Sequence, residues 1–317
     1  MARLVQQQNA SPSTVAAYRD TFRLLLSFTE RAKGIRPVEI ELKDFNARLV
    51  LDFLEHLEVD RLNAVRSRNA RLAAIRAFAH YVSLQCPSAL QNMHQILAIP
   101  MKRFEKPLIG FLSREEMLAV IEAPDPTTWA GSRDRSMIAM LYNTGARASE
   151  LLDIHVGDIT FAETSSVRLH GKGRKQRSVP LWKETASEIR KWVQFAGLQA
   201  DQSLFPNRNG DRMTRTNLSE RLALAVQVAV TKVPSLFGRQ ITPHVVRHTT
   251  AMHLLQGGVD LTVIALWLGH ESPTTTHGYV EADLSMKERA LANISPPETK
   301  GKRFKPSDRL LKFLESL

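Results

Sequence analysis

Through the first hundred residues, apolar side chains recur at helical spacing. After Ser11-Pro12-Ser13, the stripe Val15, Tyr18, Phe22, Leu25, Leu26 and Phe28 predicts a first helix, which Gly34 ends. Asp44 is placed to cap a second, with Phe45, Leu49, Phe53, Leu54 and Leu57 on one face. A third is predicted over about 63–85, with Leu72, Ile75, Phe78 and Val82 inward and Arg68, Arg71 and Arg76 largely on other faces. Ser88 opens a short fourth that stops before Pro100. The pattern predicts a compact helical bundle.

Periodicity then lapses over 99–112, where Pro100, Pro107, Gly110 and the basic Lys102-Arg103 mark a linker. Ser113-Arg114-Glu115-Glu116 is a capping box, so a second domain begins with a helix. An apolar helix is expected over 134–143, broken at Thr144-Gly145 and resumed over 148–152. Short strands are expected over 167–170 and 177–181, joined by the basic tip Gly171-Lys172-Gly173-Arg174-Lys175. Helices follow at about 185–197 and 214–229. Thr242-Pro243 opens another that runs to Gly257-Gly258, Asp260 caps one that stops at Gly269, and Ser272-Pro273 starts one that carries Tyr279. Ser295-Pro296-Pro297 then breaks the structure. The basic stretch Lys300, Lys302, Arg303 and Lys305 leads to a last amphipathic helix with Leu310, Leu311, Phe313, Leu314 and Leu317. This tail can fold back on its own domain or dock on a neighbouring subunit, and the tether favours docking.

Composition adds a partner. The 317-residue chain suits two domains, and 43% hydrophobic residues are enough for two cores. Its formal net charge is +11, and the positive charge is segregated. No acidic residue lies between Asp60 and Glu105, where Arg66, Arg68, Arg71 and Arg76 fall. None lies between Glu163 and Glu184, where Arg174, Lys175 and Arg177 fall. Such one-signed runs fit tracking of a phosphate backbone, and these seven residues are the expected DNA contacts. The lone Cys86 excludes an internal disulfide and a cysteine metal cluster, and reads as a small buried hydrophobe. No segment reaches the ~18 apolar residues of a membrane span, and residues 1–10 lack a signal-peptide core, so the expected location is the cytosol.

The chemistry-bearing residues cluster in the second domain. His244 and Arg247, at i and i+3, share one helix face. Thr144-Gly145-Ala146-Arg147, the hairpin lysine Lys172, Leu268-Gly269-His270 and Tyr279 complete a set that can surround one phosphate. Each motif alone is weak. Their order, with tyrosine nine residues after His270, is strong.

In these motifs, together with Glu150 and His248, the chain resembles the tyrosine recombinases, or phage-type integrases, and especially their compact two-domain Xer-like members. The resemblance spans the second domain and extends more loosely over the first. It implies a mainly α fold with a small β-hairpin or sheet. A helical core-binding domain (1–100) and linker (101–112) would precede an α+β catalytic domain (113–294) and a tethered C-terminal helix (295–317). The two domains would grip opposite faces of a duplex. It also implies roles. Arg147 and Arg247 would neutralise the phosphate with bidentate forks, and His270 would add a donor. Tyr279 would attack phosphorus to form a 3′-phosphotyrosyl link, His244 would act as general base and Lys172 as general acid, without metal, ATP or cofactor.

Of four tyrosines, Tyr18 and Tyr81 fall in first-domain helices and Tyr142 ends an apolar helix, leaving Tyr279 as nucleophile. His248, His253 and His277 read as structural or off the phosphate, and Glu150 as a brace for its helix or for Arg147. Ala146 stands where the family often has a larger residue, Gly278 before the tyrosine is unusual, and no histidine stands two residues after Tyr279. None of these removes a catalytic residue.

The expected function is site-specific recombination of double-stranded DNA by a homotetramer, for transposition or integration of a mobile element. The absence of an extra domain before residue 10 argues against arm-type DNA sites. Xer-like resolution of replicon dimers, alone or with a partner recombinase, is the alternative. A type IB topoisomerase is a further one, and relaxation of plasmid lacking a specific site would reveal it. A DNA-binding protein with a dead site has no support in a complete constellation.

Overall fold

The computed structural model describes residues 9–104, 110–171 and 175–269. The chain divides into two compact units, Met1–Pro107 and Leu108–Leu317. Among the described residues it is mostly helical with one small antiparallel sheet, as the pattern predicts.

The first unit contains α1 (Pro12–Lys33), α2 (Ala47–Val59), α3 (Val65–Gln85) and α4 (Leu90–Ala98). Ser11 caps α1, its Oγ accepting from the Thr14 N–H at 3.2 Å, and Gly34 closes it in the left-handed region at φ 67°. The cap of α2 differs from expectation. Asn46 Oδ1 accepts from the Leu49 N–H at 3.0 Å, whereas Asp44 closes the preceding turn by accepting from the Glu41 N–H. Leu25, Leu49, Phe53, Leu54, Leu57, Leu72, Ile75, Met93 and Ile96 form the core. Burying each contributes on the order of 1.5–3 kcal/mol.

Arg68 departs from the sequence expectation. It stands on the stripe of Leu72, Ile75, Ala79 and Val82, and only 4% of it is exposed. Its Nη1 donates to the Pro100 carbonyl at 3.2 Å, tying α3 to the chain after α4. Arg71 Nη1 donates to Ala17 O and Thr21 Oγ1, both at 3.1 Å, tying α3 to α1. Arg66 is exposed and Arg76 half-buried. An arginine stem packs against apolar neighbours as well as any aliphatic chain, so charge alone does not place it outside.

The second unit opens with α5 (Arg114–Glu122) behind the predicted capping box. Ser113 Oγ accepts from the Glu116 N–H at 3.1 Å, and Glu116 Oε2 from the Ser113 N–H at 2.8 Å. The apolar helix α6 (Trp129–Thr144) starts a turn earlier than expected because Thr128 caps it. After α7 (Ala148–Leu152) comes a sheet of β1 (Ile159–Thr160), β2 (Ser166–His170) and β3 (Gln176–Pro180), in the order β1-β2-β3. In β2 and β3, Val167 pairs with Val179 and Leu169 with Arg177. The short β1 was not expected.

Next come α8 (Lys183–Ala196), α9 (Arg215–Ala229, capped by Thr214), α10 (Pro243–Gln256) and α11 (Leu261–Leu268). Trp192, Phe205, Leu112, Met117, Ile138, Leu151 and Leu218 are among the core residues beneath them. The hairpin tip 172–174, the middle of the linker (105–109), the helix predicted to carry Tyr279 and the tail lie outside the described residues. Among the described residues no helix is long and apolar enough to cross a membrane.

Candidate active site

The site is built where three helix ends meet. Helix α6 stops at Gly145, whose φ of +57° lies in the left-handed region. A Cβ there would stand 2.5 Å from Leu268 Cδ2, so α11 can pack against this turn only if the residue is glycine. Two residues on, Arg147 is the N-cap of α7. Helix α11 ends at Gly269 with φ +66°.

Three consecutive carbonyls at that end each accept from a different arginine. Arg177 Nε donates to Trp267 O at 2.9 Å, Arg247 Nη2 to Leu268 O at 2.9 Å and Arg147 Nη2 to Gly269 O at 3.2 Å. These carbonyls are the negative end of the helix dipole, which favours cations. Arg247 also donates from Nη1 to Gly145 O at 2.6 Å, joining the ends of α6 and α11 from inside α10.

Glu150 is the counter-ion, and only 3% of it is exposed. Its Oε1 accepts from Arg147 Nη1 at 2.7 Å and its Oε2 from Arg177 Nη2 at 2.7 Å and the Arg147 backbone N–H at 3.0 Å. Burial pushes its carboxyl up, but the bonds and charge of Arg177 and Arg147 outweigh this and hold it below the ordinary carboxylate value. It is therefore ionised at neutral pH. Among the described residues, Arg147 and Arg177 share Glu150, and Arg247 is held by the Gly145 and Leu268 carbonyls. Arg247 is 4% exposed, whereas 42% of the Arg147 side chain faces out. The cluster can receive an anion from the outer side.

His244 is exposed in the first turn of α10, one turn before Arg247. Thus Arg147, Arg247 and the helix bearing His244 come together. Lys172, Arg174, His270 and Tyr279 lie outside the described residues; Lys172 follows the hairpin base Gly171 and His270 follows Gly269. Lys175 is exposed. Arg177, expected to face DNA, is turned into this cluster with 13% of its side chain exposed. Strand alternation explains the difference, since Arg177 lies on the same face as buried Val179.

Behind the site, Tyr142 hydroxyl and His253 Nδ1 are 2.7 Å apart, and Tyr142 lies against Trp182. Burial pushes the Tyr142 hydroxyl up and the His253 imidazole down, so both are neutral at neutral pH. Thr250 Oγ1 donates to Tyr142 O at 2.6 Å, clamping α10 to α6. The chain enters the unit against this same helix: the Leu112 N–H donates to Thr249 Oγ1, and Phe111 sets its ring edge-on to His248 and His253. These contacts give Tyr142, His248 and His253 packing roles.

Residues 110–286 match the phage integrase family. The chain is 44% identical, over all of its length and 96% of the relative, to the "Putative integrase/recombinase y4rC" of Sinorhizobium fredii. It is 32% identical to the tyrosine recombinase XerC of Pelobacter propionicus, over 89% of this chain and 88% of that one. Its fold is shared with the XerH site-specific recombinase bound to difH DNA, at a TM-score of 0.70 and 21% identity over 90% of this chain and 81% of that one. It is shared equally with the Tn1549 transposon integrase bound to a circular-intermediate DNA, at 0.69 and 15% over 92% and 97%. The cluster of arginines is therefore found in a chain that belongs to the phage integrase family of tyrosine recombinases, enzymes of site-specific recombination that cut and rejoin DNA.

Proposed function

We propose that the chain recombines specific duplex DNA sites through a 3′-phosphotyrosyl intermediate at Tyr279, and that its role is transposition or integration of a mobile element. The observation that carries the chemistry is the convergence of Arg147 and Arg247 on the successive carbonyls Gly269 and Leu268, immediately before His270. A phosphodiester passing to a five-coordinate phosphorane gathers charge on its non-bridging oxygens. Guanidinium forks already fixed at that point stabilise it by roughly 3 kcal/mol per donor group.

In this reading the Tyr279 oxygen bonds to phosphorus as the bond from phosphorus to the 5′ oxygen breaks. His244 takes the phenolic proton, which a group of pKa near ~10 does not give up unaided. Lys172 gives a proton to the leaving 5′ oxygen, and His270 adds a donor to the phosphate. Religation reverses each transfer, with the 5′ hydroxyl of a partner strand attacking. The link stores the bond energy, so no external source is required. Exchange between two sites needs four protomers, and the tail beyond Ser295 is the segment suited to link them in a closed ring.

The mobile-element role is supported by the full-length relative with an integrase name and by the fold shared with a transposon integrase. The XerC relative favours Xer-like dimer resolution as the second reading. A nicked suicide substrate made from DNA flanking the gene tests both. Covalent capture on that DNA supports the mobile-element role, and capture on a replicon resolution site alone supports the other. Tyr279→Phe is expected to bind the same DNA and form no adduct; a persistent adduct in that variant removes Tyr279 from the mechanism.

A further inference from the structure

Arg177 has no role in the mechanism above, yet it is the most enclosed ion-pair partner of Glu150. Its guanidinium lies against two glycines. A Cβ on Gly269 would stand 2.8 Å from its Nη1 and 3.2 Å from its Cζ, and one on Gly171 would stand 3.8 Å from Nη1. Its Nε and Nη2 point to different acceptors, Trp267 O and Glu150 Oε2. A lysine ammonium, a single point on a flexible stem, does not reproduce that fork. The two guanidiniums thus take different oxygens of Glu150, Arg147 the Oε1 and Arg177 the Oε2, which also accepts from the Arg147 backbone N–H. Arg147 uses Nη1 on Oε1 and Nη2 on Gly269 O, and its exposed edge stays outward.

We propose that Arg177 is a positioning residue for Arg147: by occupying Oε2 of Glu150 it prevents Arg147 from forking onto both carboxylate oxygens and keeps its outer donors directed at the scissile phosphate. Without Arg177, Oε2 of a buried carboxylate loses its charged side-chain partner, and the half-exposed Arg147 beside it is drawn into a bidentate pair. The cluster also loses one positive charge. The proposal rests on the catalytic reading of Arg147 given above.

The test is single-turnover adduct formation by the full-length protein on three substrates. One has the ordinary scissile phosphate. One has a methylphosphonate there, which carries no charge on its non-bridging oxygen. One has a 5′-phosphorothiolate, whose sulfur leaves without a proton. Arg177→Gln is expected to bind DNA like the wild type and to react about 100-fold more slowly on the ordinary phosphate. On the methylphosphonate, where charge neutralisation is not needed, its rate is expected within about 3-fold of wild type. Arg177→Lys, which keeps the charge, should show the same pattern with a smaller deficit, and it carries the test if the glutamine variant does not fold.

An equal deficit on ordinary phosphate and methylphosphonate means a merely structural role and overturns the proposal. So does a wild-type rate on the ordinary phosphate. Rescue by the phosphorothiolate alone overturns it too, because the defect then lies with the leaving group. A wild-type protein that forms no adduct on any of the three instead removes the catalytic reading itself, and the proposal with it.

Discussion

Replacing Glu150 with glutamine keeps the shape of the side chain and removes its charge. Two arginines lose their counter-ion, but they do not lose equally. Arg177 is 13% exposed and cannot recover its interaction from water, whereas Arg147 is 42% exposed and largely can. Breaking a buried pair from one side costs about 3–5 kcal/mol. The lower end, about 3 kcal/mol, is the value expected here, with nearly all of it from Arg177. The four tryptophans, Trp129, Trp182, Trp192 and Trp267, all lie in the second unit, so their fluorescence in urea follows that unit in the intact chain. At about 2 kcal/mol per molar urea, the midpoint should fall by about 1.5 M at pH 7. The pH dependence carries a sign. Because the folded carboxyl lies below its ordinary value, its contribution is full above the unfolded pKa of about 4.3 and fades as pH falls through the folded value. Wild type and variant should therefore converge on acidification below that point. A variant with an unchanged midpoint at pH 7, or a gap that widens in acid, refutes the assignment of Glu150 as the ionised centre of the cluster.

Two further outcomes are expected. Gly145→Ala puts a side chain at φ +57°, a conformation that costs about 1–2 kcal/mol, and sets its Cβ 2.5 Å from Leu268 Cδ2. Because Arg247 bridges Gly145 O and Leu268 O, adduct formation should slow by about 10-fold or more, beyond the loss of stability read from tryptophan fluorescence; a wild-type rate would contradict this. Truncation after Ser295 should leave binding to a single site intact and abolish the proposed tetramer on paired sites in gel-shift assays, and undiminished tetramer formation would remove the docking role of the tail.

The helices were legible because their signals are local. Ser11 with Gly34, the Ser113–Glu116 box, Thr214, Thr242-Pro243 and Asp260 with Gly269 all mark ends where the structure has them. Asp44 and Asn46 are equally good caps on paper, and only the turn that Asp44 closes onto Glu41 decides between them. The arginines were harder to place. Charge counts treat all of them as surface, yet Arg68 continues an apolar stripe and Arg177 shares the inward face of β3 with buried Val179. Both signals were present in the sequence as periodicity. The bracing role of Glu150 was readable from its three-residue spacing to Arg147, but its second arginine comes from a strand 27 residues away and only the fold brings it there.

The central claim is that Tyr279 becomes joined to DNA, and the most direct measurement identifies the joined residue. The adduct trapped on a nicked substrate is trimmed with nuclease, digested with protease and sequenced by mass spectrometry. The expected result is one modified peptide with a 3′-phosphonucleotide on Tyr279. A link at Tyr18, Tyr81 or Tyr142, at a residue that is not tyrosine, or to a 5′-phosphate would contradict the account.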